Sequence, residues 1–554
     1  MFNNKQIYDM KKICKILILF LIVSGGLVSC NDLLDVNSDR VTYEQNYRLS
    51  SPNDTIYSMV GIYSSLQKLA DSYVLLGELR GDLLDITVNS TQDLRDINNF
   101  NISSTNAYAN IKDYYAVINN CNYVINYLDT TKIIKGEKVM YRYYAAAKGI
   151  RAWTYMQIAL NFGSATYYTK PIITLADAQK NYPEYNITDL AAVLIPDLIP
   201  WKDEKVPAFL GSTMIFPIRF LLGDLYLWTN QYQAAATEYH DLMYNDYILI
   251  NKSYTSDWLL VNNLISTTPE MYWRTSYVVN SMESVTGILC PTTYGQRFDL
   301  DSLNLKYEFT PSAVALNNWD SQTYFNTQSN TVAGDLRKYQ SVINRNTIVD
   351  VAPNSLTVTS NPINSTVENI VYKYLWNEQS VNVQNVVVYR ASLLYLRYAE
   401  AVNRLGKPNL AFAVLKNGLR SVTMASVKVI PPKEKSTPID HYMDFSNFRF
   451  DNNVGIRSRG LGPKLGDLAV GDTTYILPKK PLLIDSVLYV EDLIQKELAL
   501  EMAFEGNRFQ DLMRIAIRRD DNSYLANIVA SKYTDNKEAI RSKLMIRDNW
   551  YIKK

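Results

Sequence analysis

Three segments of the chain place small residues at the same spacing around a turn, and this pattern limits the fold more than any other feature. In the first segment, Gly223 and Ala235 flank a turn at Asn230. The aromatic positions of this segment are Tyr226, Tyr232 and Tyr239. The spacing recurs at Ala399, Gly406 and Ala411, and again at Ala499, Gly506 and Asp511, where Asp replaces the third small residue. Small side chains let two antiparallel helices approach closely. The pattern therefore predicts stacked helix pairs.

The spacing is that of tetratricopeptide helix pairs, and apolar periodicity extends the helical prediction. Apolar residues recur at threes and fours over about 55–80 and predict one helix face. Two more helices are predicted over 109–162, the second running from about Lys138 to a cap at Gly163. The fold class is thus predicted to be mainly α: a tetratricopeptide-like helical-repeat scaffold over about 45–250, 385–425 and 490–520.

Two segments differ in composition from this scaffold. Residues 251–385 are rich in Asn, Thr, Ser, Tyr and Val with scattered Pro, and residues 428–488 are rich in Pro and Gly. Such composition is typical of long loops with short strands and small helices. Because binding residues often lie on loops held by a rigid scaffold, we expect an irregular, loop-rich ligand-binding face here.

The N-terminus is predicted to be an export signal that ends at a lipidated cysteine. Four lysines precede an unbroken apolar run over 16–23, and Leu27-Val28-Ser29-Cys30 follows two glycines. The run is too short to span a bilayer, and its basic flank matches a cleaved signal. We interpret residues 1–29 as a lipoprotein signal peptide and Cys30 as the lipidation site, with residues 30–554 as a single mature domain. An ordinary signal with a chance Cys is the alternative.

Composition argues against nucleic-acid binding and against an enzyme. The chain has 56 Lys and Arg against 55 Asp and Glu, without a basic block. Only two histidines are present, His240 and His441, in segments that the sequence does not relate, and we expect a packed role for His240. We find no phosphate-binding, dinucleotide-binding or H-E-x-x-H motif. Cys14 lies in the predicted signal peptide and Cys30 is the predicted lipidation site, so Cys121 and Cys290 remain. These two cysteines could form a disulfide, but two unpaired, buried thiols are favoured.

Two sets of charged residues are predicted to be structural. Glu497, Glu501 and Glu505 share a helix face at i, i+4 and i+8, where like charges repel and need cationic partners. We expect ion pairs rather than a glycosidase carboxylate pair. The candidate partners are Arg420, Arg508 and Arg514. We also expect three arginines to fix helix packing through carboxylates, namely Arg80, Arg151 and Arg397.

Motifs in order along the chain resemble the SusD/RagB family of Bacteroidetes surface lipoproteins. The resemblance begins at Cys30-Asn31-Asp32-Leu33-Leu34-Asp35 and continues at Leu76-Gly77-Glu78-Leu79-Arg80-Gly81-Asp82. Arg151-Ala152-Trp153-Thr154-Tyr155 with Asn161-Phe162-Gly163 is similar to a family helix, and Leu396-Arg397-Tyr398-Ala399-Glu400-Ala401 to its "LRYAEA" signature. Glu497 to Leu512 is similar to the family's "ELafEGhR-x-x-DL" signature, with Asn507 where the family often has His.

This resemblance implies a non-catalytic binding protein at the cell surface, anchored by lipid to the outer membrane. Its implied partner is a SusC-like TonB-dependent outer-membrane transporter, to which it delivers captured oligosaccharide or polysaccharide. A RagB-like role in peptide import is the alternative. No cofactor is implied, and a structural calcium ion in a loop is left open.

The resemblance also implies ligand contacts in two parts of the chain, where aromatic faces and polar edges suit sugar recognition. The candidates after the first signature are Asn98, Asn99, Phe100 and Tyr108. The candidates in the central region are Tyr294, Arg297, Phe298, Trp319 and Tyr324.

Overall fold

Paired helices form most of the structure, a computed structural model that describes residues 49–205, 212–250, 283–291, 298–325, 331–335, 337–352, 355–358, 366–374, 383–460 and 472–554. Residues 50–554 form one unit. Before residue 251, the helices of the described residues are α1 (Pro52–Gln67), α2 (Ala70–Glu78), α3 (Gln92–Asn98), α4 (Ile111–Tyr127), α5 (Met140–Phe162), α6 (Leu175–Ala178), α7 (Ile187–Leu198), α8 (Ile218–Trp228) and α9 (Tyr232–Asp246).

The remaining helices divide between the central region and the C-terminal part. Short helices of the central region are α10 (Leu300–Leu305), α11 (Ala313–Asp320) and α12 (Lys338–Ser341). The later helices are α13 (Ala391–Arg404), α14 (Pro408–Lys416), α15 (Ser421–Ala425), α16 (Leu483–Glu501), α17 (Arg508–Arg519), α18 (Asn522–Ala530) and α19 (Lys537–Leu544). The mainly helical fold class is confirmed.

The three predicted helix pairs are α8 with α9, α13 with α14, and α16 with α17. Asn230 makes the first turn with a φ of 61°, and Gly406 and Gly506 make the other two with φ values of 76° and 85°. A Cβ atom on Gly223 would lie 2.3 Å from the ring of Tyr239. The small residue is therefore required by the close approach of α8 to α9, as the repeat predicts.

One detail of the helix prediction is confirmed, and another is wrong. The long helix ends at Gly163, whose φ of 85° caps α5. The single helix predicted over 55–80 is instead two helices, α1 and α2, because the chain breaks at Lys68 and Leu69. The second of these helices is almost entirely buried, so it lies inside the scaffold.

Short antiparallel ribbons form most of the β-structure that the described residues contain. The strands are β1 (Leu84–Ile86), β2 (Ala165–Thr166), β3 (Glu184–Tyr185), β4 (Ser284–Pro291), β5 (Phe309–Pro311), β6 (Thr323–Phe325), β7 (Thr331–Ala333), β8 (Val342–Asn344), β9 (Ile348–Ala352), β10 (Ser355–Val358), β11 (Asn369–Val371) and β12 (Val383–Arg390). The pairs are β1 with β5, β2 with β3, β4 with β12, β6 with β7, β8 with β11, and β9 with β10. The β1–β5 pair, in register Leu84 to Pro311, attaches the central region to the segment after α2.

The hydrophobic core continues to the C-terminus. Phe509, Leu512 and Met513 of α17 pack with Leu544 and Trp550, and the cluster also contains Leu160, Ala516, Leu525, Ala526, Val529, Tyr533 and Ile540. Cys121 and Cys290 are buried thiols that form no disulfide, as the favoured alternative predicts. None of the described helices is long and apolar enough to cross a membrane.

Candidate functional site

A cleft forms where the segment after α3 meets the C-terminal segment after α19. Its volume is about 290 Å³. We call it the C-terminal cleft, and its lining residues are Arg80, Phe100, Asn101, Ile102, Lys543, Asn549, Trp550, Tyr551, Ile552 and Lys553. Phe100, one of the predicted ligand contacts, is among these lining residues.

Backbone and core contacts hold the walls of the C-terminal cleft in place. Phe100 adopts a φ of 57°, and its ring packs 5.7 Å from the ring of Phe509. The backbone N–H of Ile552 donates to the carbonyl oxygen of Asn161 at 2.8 Å, which fixes the C-terminal segment to α5. Each wall is therefore attached to a scaffold helix rather than formed by a free loop.

Arg80 lies at the base of this cleft and pairs only with neutral acceptors among the described residues. Its Nε donates to the carbonyl oxygen of Leu76 at 2.7 Å, its Nη1 to that of Trp550 at 3.0 Å, and its Nη2 to Oδ1 of Asn161. The prediction that Arg80 acts through a carboxylate is thus wrong. Burial lowers the pKa of Arg80 to about 9, and no ion pair with an acid offsets this effect among the described residues.

Two lysines at the rim add to this positive charge. Nζ of Lys543 donates to the carbonyl oxygens of Phe100 at 2.7 Å and Asn99 at 3.3 Å, again neutral acceptors. Burial, and then the charge of Lys553, lower the pKa of Lys543. Lys553 is exposed, and no Asp or Glu lines the cleft among the residues described there. The cleft is therefore suited to a ligand that brings acceptor oxygens or a negative charge.

The other candidates after α3 support the cleft or lie apart from it. Asn98 is buried, and its Oδ1 accepts a hydrogen bond from Nζ of Lys532 at 2.7 Å. Asn99 is half-buried beside Asn536, with 3.4 Å between the amide groups. Tyr108 does not line the cleft; burial, and then the nearby carboxylate of Asp299, raise its pKa. Of these four candidates, Phe100 alone lines the cleft.

In the central region, the structure places three candidates in the interior. Trp319 has 0% of its surface exposed, and its indole N–H donates to the carbonyl oxygen of Leu500 at 3.1 Å. Tyr324 is also fully buried, with its hydroxyl donating to Oδ2 of Asp335 at 2.7 Å. Phe298 is buried too. The expectation that these rings face ligand is corrected, because their apolar area packs against the scaffold. Tyr294, Arg297 and the lipidation candidate Cys30 lie outside the described residues.

A second depression lies between α11 and the helices α16 to α18. Its volume is about 600 Å³, and we call it the amide groove. Its uncharged polar lining residues are Asn318, Ser321, Gln322, Gln495, Tyr524, Asn527 and Ser531. Sequence reasoning missed this groove and the lysines of the C-terminal cleft, because no motif marks any of them.

The predicted carboxylate series is a buried ion-pair cluster rather than a catalytic pair. Arg337 Nη1 lies 3.0 Å from Glu497 and 3.2 Å from Glu501. Arg390 lies 2.8 Å from both Glu501 and Glu505. Lys373 also binds Glu505, at 2.6 Å. The predicted structural role of the three glutamates is confirmed, but their cationic partners differ from the predicted ones.

The partners proposed from the sequence bind other acids. Arg508 binds Asp82, with 2.6 Å between Nε and Oδ1, and Arg514 binds Glu400 at 2.7 Å. Among the described residues, no ion pair joins Arg420 to the three glutamates. The prediction that Arg151 and Arg397 bind carboxylates is confirmed, because Arg151 binds Asp197 at 2.9 Å and Arg397 binds Asp511.

Comparison with known proteins gives one distant curated relative and many similar folds. No family model matches the chain. The relative is SusD-like protein P38 of Formosa agariphila, 22% identical over 479 residues, which cover 79% of this chain and 88% of that protein.

Solved structures resemble the fold over nearly the whole chain. Surface glycan-binding protein A from Bacteroides uniformis has a TM-score of 0.57 at 15% identity, covering 91% of this chain and 96% of that chain. A laminarin-binding SusD-like protein has a TM-score of 0.52 at 15% identity, covering 91% and 99%. A SusD homolog from Bacteroides thetaiotaomicron has a TM-score of 0.57 at 16% identity, covering 88% and 89%. The chain is thus similar over most of its length to a SusD-like protein and shares the fold of solved SusD-like structures.

Proposed function

We propose that this protein captures an oligosaccharide at the outer cell surface and delivers it to a SusC-like TonB-dependent transporter. In this proposal, Cys30 carries the lipid anchor after removal of residues 1–29. Two relatives named for glycan or laminarin binding share the fold over most of their length, which supports a glycan as the ligand.

The observation that carries the proposal is the donor-rich, acid-free lining of the C-terminal cleft. Lys553 and Asn101 present donors at the rim, Phe100 and Tyr551 supply aromatic carbon surface, and Arg80 makes the base positive. Sugar hydroxyls and carboxylates accept hydrogen bonds from such donors, while the apolar face of a sugar ring packs on an aromatic ring. A glycan with uronate groups fits this lining best.

A peptide is the second candidate, and the same positive charge is the observation that favours it. A peptide α-carboxylate could pair with Lys553 and gain from the uncompensated guanidinium of Arg80. In that case the protein acts as a RagB-like component of peptide import.

Native affinity electrophoresis tests the proposal with laminarin as a neutral glycan and a uronate-containing polysaccharide as an acidic one. We expect the acidic glycan to retard the purified protein, and Lys553→Gln and Phe100→Ala to weaken that retardation at least about tenfold. The matched control is Asn527→Ala, which changes the amide groove and should leave retardation unchanged.

The outcomes separate the possibilities. Retardation by a glycan that none of the cleft variants weakens would place binding elsewhere and refute the cleft as the site. Absence of retardation by both glycans, with peptides found by mass spectrometry in the purified protein, would replace the glycan by the peptide.

A further inference from the structure

The two histidines of the chain meet on one carboxylate, although they are far apart in the sequence. His240 and Asp241 lie in α9, and His441 begins the 3-10 turn His441–Met443. Nε2 of His441 lies 2.6 Å from Oδ1 of Asp241, and Nδ1 of His240 lies 3.2 Å from the same oxygen. Among the described residues, these are the group whose ligand atoms converge within 4.8 Å of one another.

The contact that Nε2 of His240 makes determines whether Nδ1, the nitrogen that faces Asp241, carries a lone pair. Nε2 of His240 lies 2.8 Å from the backbone carbonyl oxygen of Asp444, which can only accept, so we infer that the ring proton sits on Nε2. In a neutral ring, Nδ1 then presents a lone pair to the carboxylate oxygen of Asp241. Two lone pairs that face each other at 3.2 Å repel unless a proton or a metal cation lies between them.

One of the separations among these atoms already matches the dimensions of a zinc site. Tetrahedral Zn²⁺ with ligands at about 2.0–2.1 Å places those ligands about 3.3 Å apart. The separation of His240 from Asp241 already has this value, to within about 0.1 Å. The side chain of His441 is 66% exposed, so it is free to move outward from 2.6 Å by the fraction of an ångström that a metal needs.

Second contacts hold two of the three ligands in the required orientation. The carbonyl of Asp444 fixes the ring of His240, which also stacks on Tyr244 at 5.6 Å between ring centres. Nη1 of Arg219 donates to Oδ2 of Asp241 at 3.0 Å and leaves Oδ1 directed at the histidines. Hydrogen bonds of this kind from outer residues are what orient zinc ligands in proteins.

We propose that His240 Nδ1, Asp241 Oδ1 and His441 Nε2 bind one Zn²⁺ ion, with the fourth position open to solvent. Two imidazoles and one carboxylate favour zinc or a similar transition metal over calcium, which prefers oxygen ligands alone. The ion would attach the turn at His441 to scaffold helix α9. This site is separate from the C-terminal cleft and does not depend on the function proposed there.

Zinc titration of the purified full-length protein, prepared without a histidine tag, tests this site. We expect one Zn²⁺ bound per chain by calorimetry, and a matching Co²⁺ titration with the visible absorption of a tetrahedral complex. His441→Ala removes an exposed ligand without disturbing the core, and we expect it to weaken zinc affinity at least tenfold. Asp246→Asn is the matched control, because it removes a nearby exposed carboxylate of α9 and should change nothing.

Two results would overturn the proposal. One is that the unchanged protein binds no zinc at stoichiometric concentration, which would show that the three side chains meet without a metal. The other is that His441→Ala binds zinc as tightly as the unchanged protein, which would place the metal at other residues.

Discussion

Replacing Gly77 by Ala should destabilise the protein, although alanine is the better helix former. Gly77 lies in α2, and a Cβ built there would be 1.9 Å from the carbonyl oxygen of Gly506. Gly506 cannot easily withdraw, since its φ of 85° makes the turn between α16 and α17. Its backbone N–H also donates to the buried carboxylate of Glu78 at 2.8 Å.

The size of the effect follows from three contributions. Alanine gains about 1 kcal/mol over glycine inside a helix. Moving the backbone of Gly506 by the 1 Å or so needed to relieve the contact costs about 1–3 kcal/mol as overpacking. That movement also breaks the hydrogen bond to Glu78, and leaving a buried carboxylate short of a donor costs about 1–3 kcal/mol more. The net loss in the free energy of unfolding is about 3 kcal/mol.

Gly61→Ala is the matched control, and its expected sign is opposite. Gly61 lies in α1, and nothing lies within 4 Å of a Cβ built there. Alanine should therefore raise the free energy of unfolding by about 0.5–1 kcal/mol. Urea midpoints by circular dichroism measure both variants. A Gly77→Ala midpoint equal to or above that of the unchanged protein, alongside a raised midpoint for Gly61→Ala, would refute the reasoning.

Three further predictions concern the ion-pair cluster and the N-terminus. Glu501→Gln should lower the free energy of unfolding by about 3 kcal/mol at pH 7, because it leaves Arg390 and Arg337 short of a buried counter-charge. Urea midpoints measure this change, and a loss below about 1 kcal/mol would contradict the prediction. Burial opposes the charge of Glu501, but Arg459, Arg390 and Arg337 outweigh burial and hold the pKa of that carboxyl well below its usual range. The stabilisation from ionised Glu501 is thus fully present above the unfolded pKa of about 4.3 and is lost as the pH falls below that value. Below about pH 4.3, urea midpoints should therefore fall more steeply with decreasing pH in the unchanged protein than in Glu501→Gln. Cys30→Ser should abolish incorporation of radiolabelled fatty acid and release the protein from membranes; full labelling of that variant would exclude Cys30 as the lipidation site.

The sequence predicts contacts within a helix pair well, because the physical cause is local. Gly223 and Tyr239 lie on adjacent helices joined by a short turn, so the spacing alone requires their approach. The ion-pair partners of Glu501 could not be found this way. Arg337 and Arg390 come from segments more than a hundred residues away, and only the folded chain brings them to the end of α16.

The sequence also does not show which aromatic side chains are exposed and which are buried. Trp319 lies in a polar segment that reads as a binding loop, yet α11 turns its ring toward Phe504, with 6.0 Å between ring centres. An aromatic side chain suits a core and a binding platform equally, and composition does not say which face of α11 is buried. The same holds for His240 and His441, whose meeting on Asp241 leaves no trace in either local sequence.

The ion-pair cluster at the end of α16 has a consequence for exchange of segments between related proteins. Arg337, Lys373 and Arg390 all enter from the region between α11 and α13, and each neutralises a glutamate of the scaffold. A chimera that receives this region from another protein therefore keeps its scaffold only if the donor supplies cations at the same three places. The three cations Arg337, Lys373 and Arg390 must therefore be inherited together with the glutamates that they neutralise.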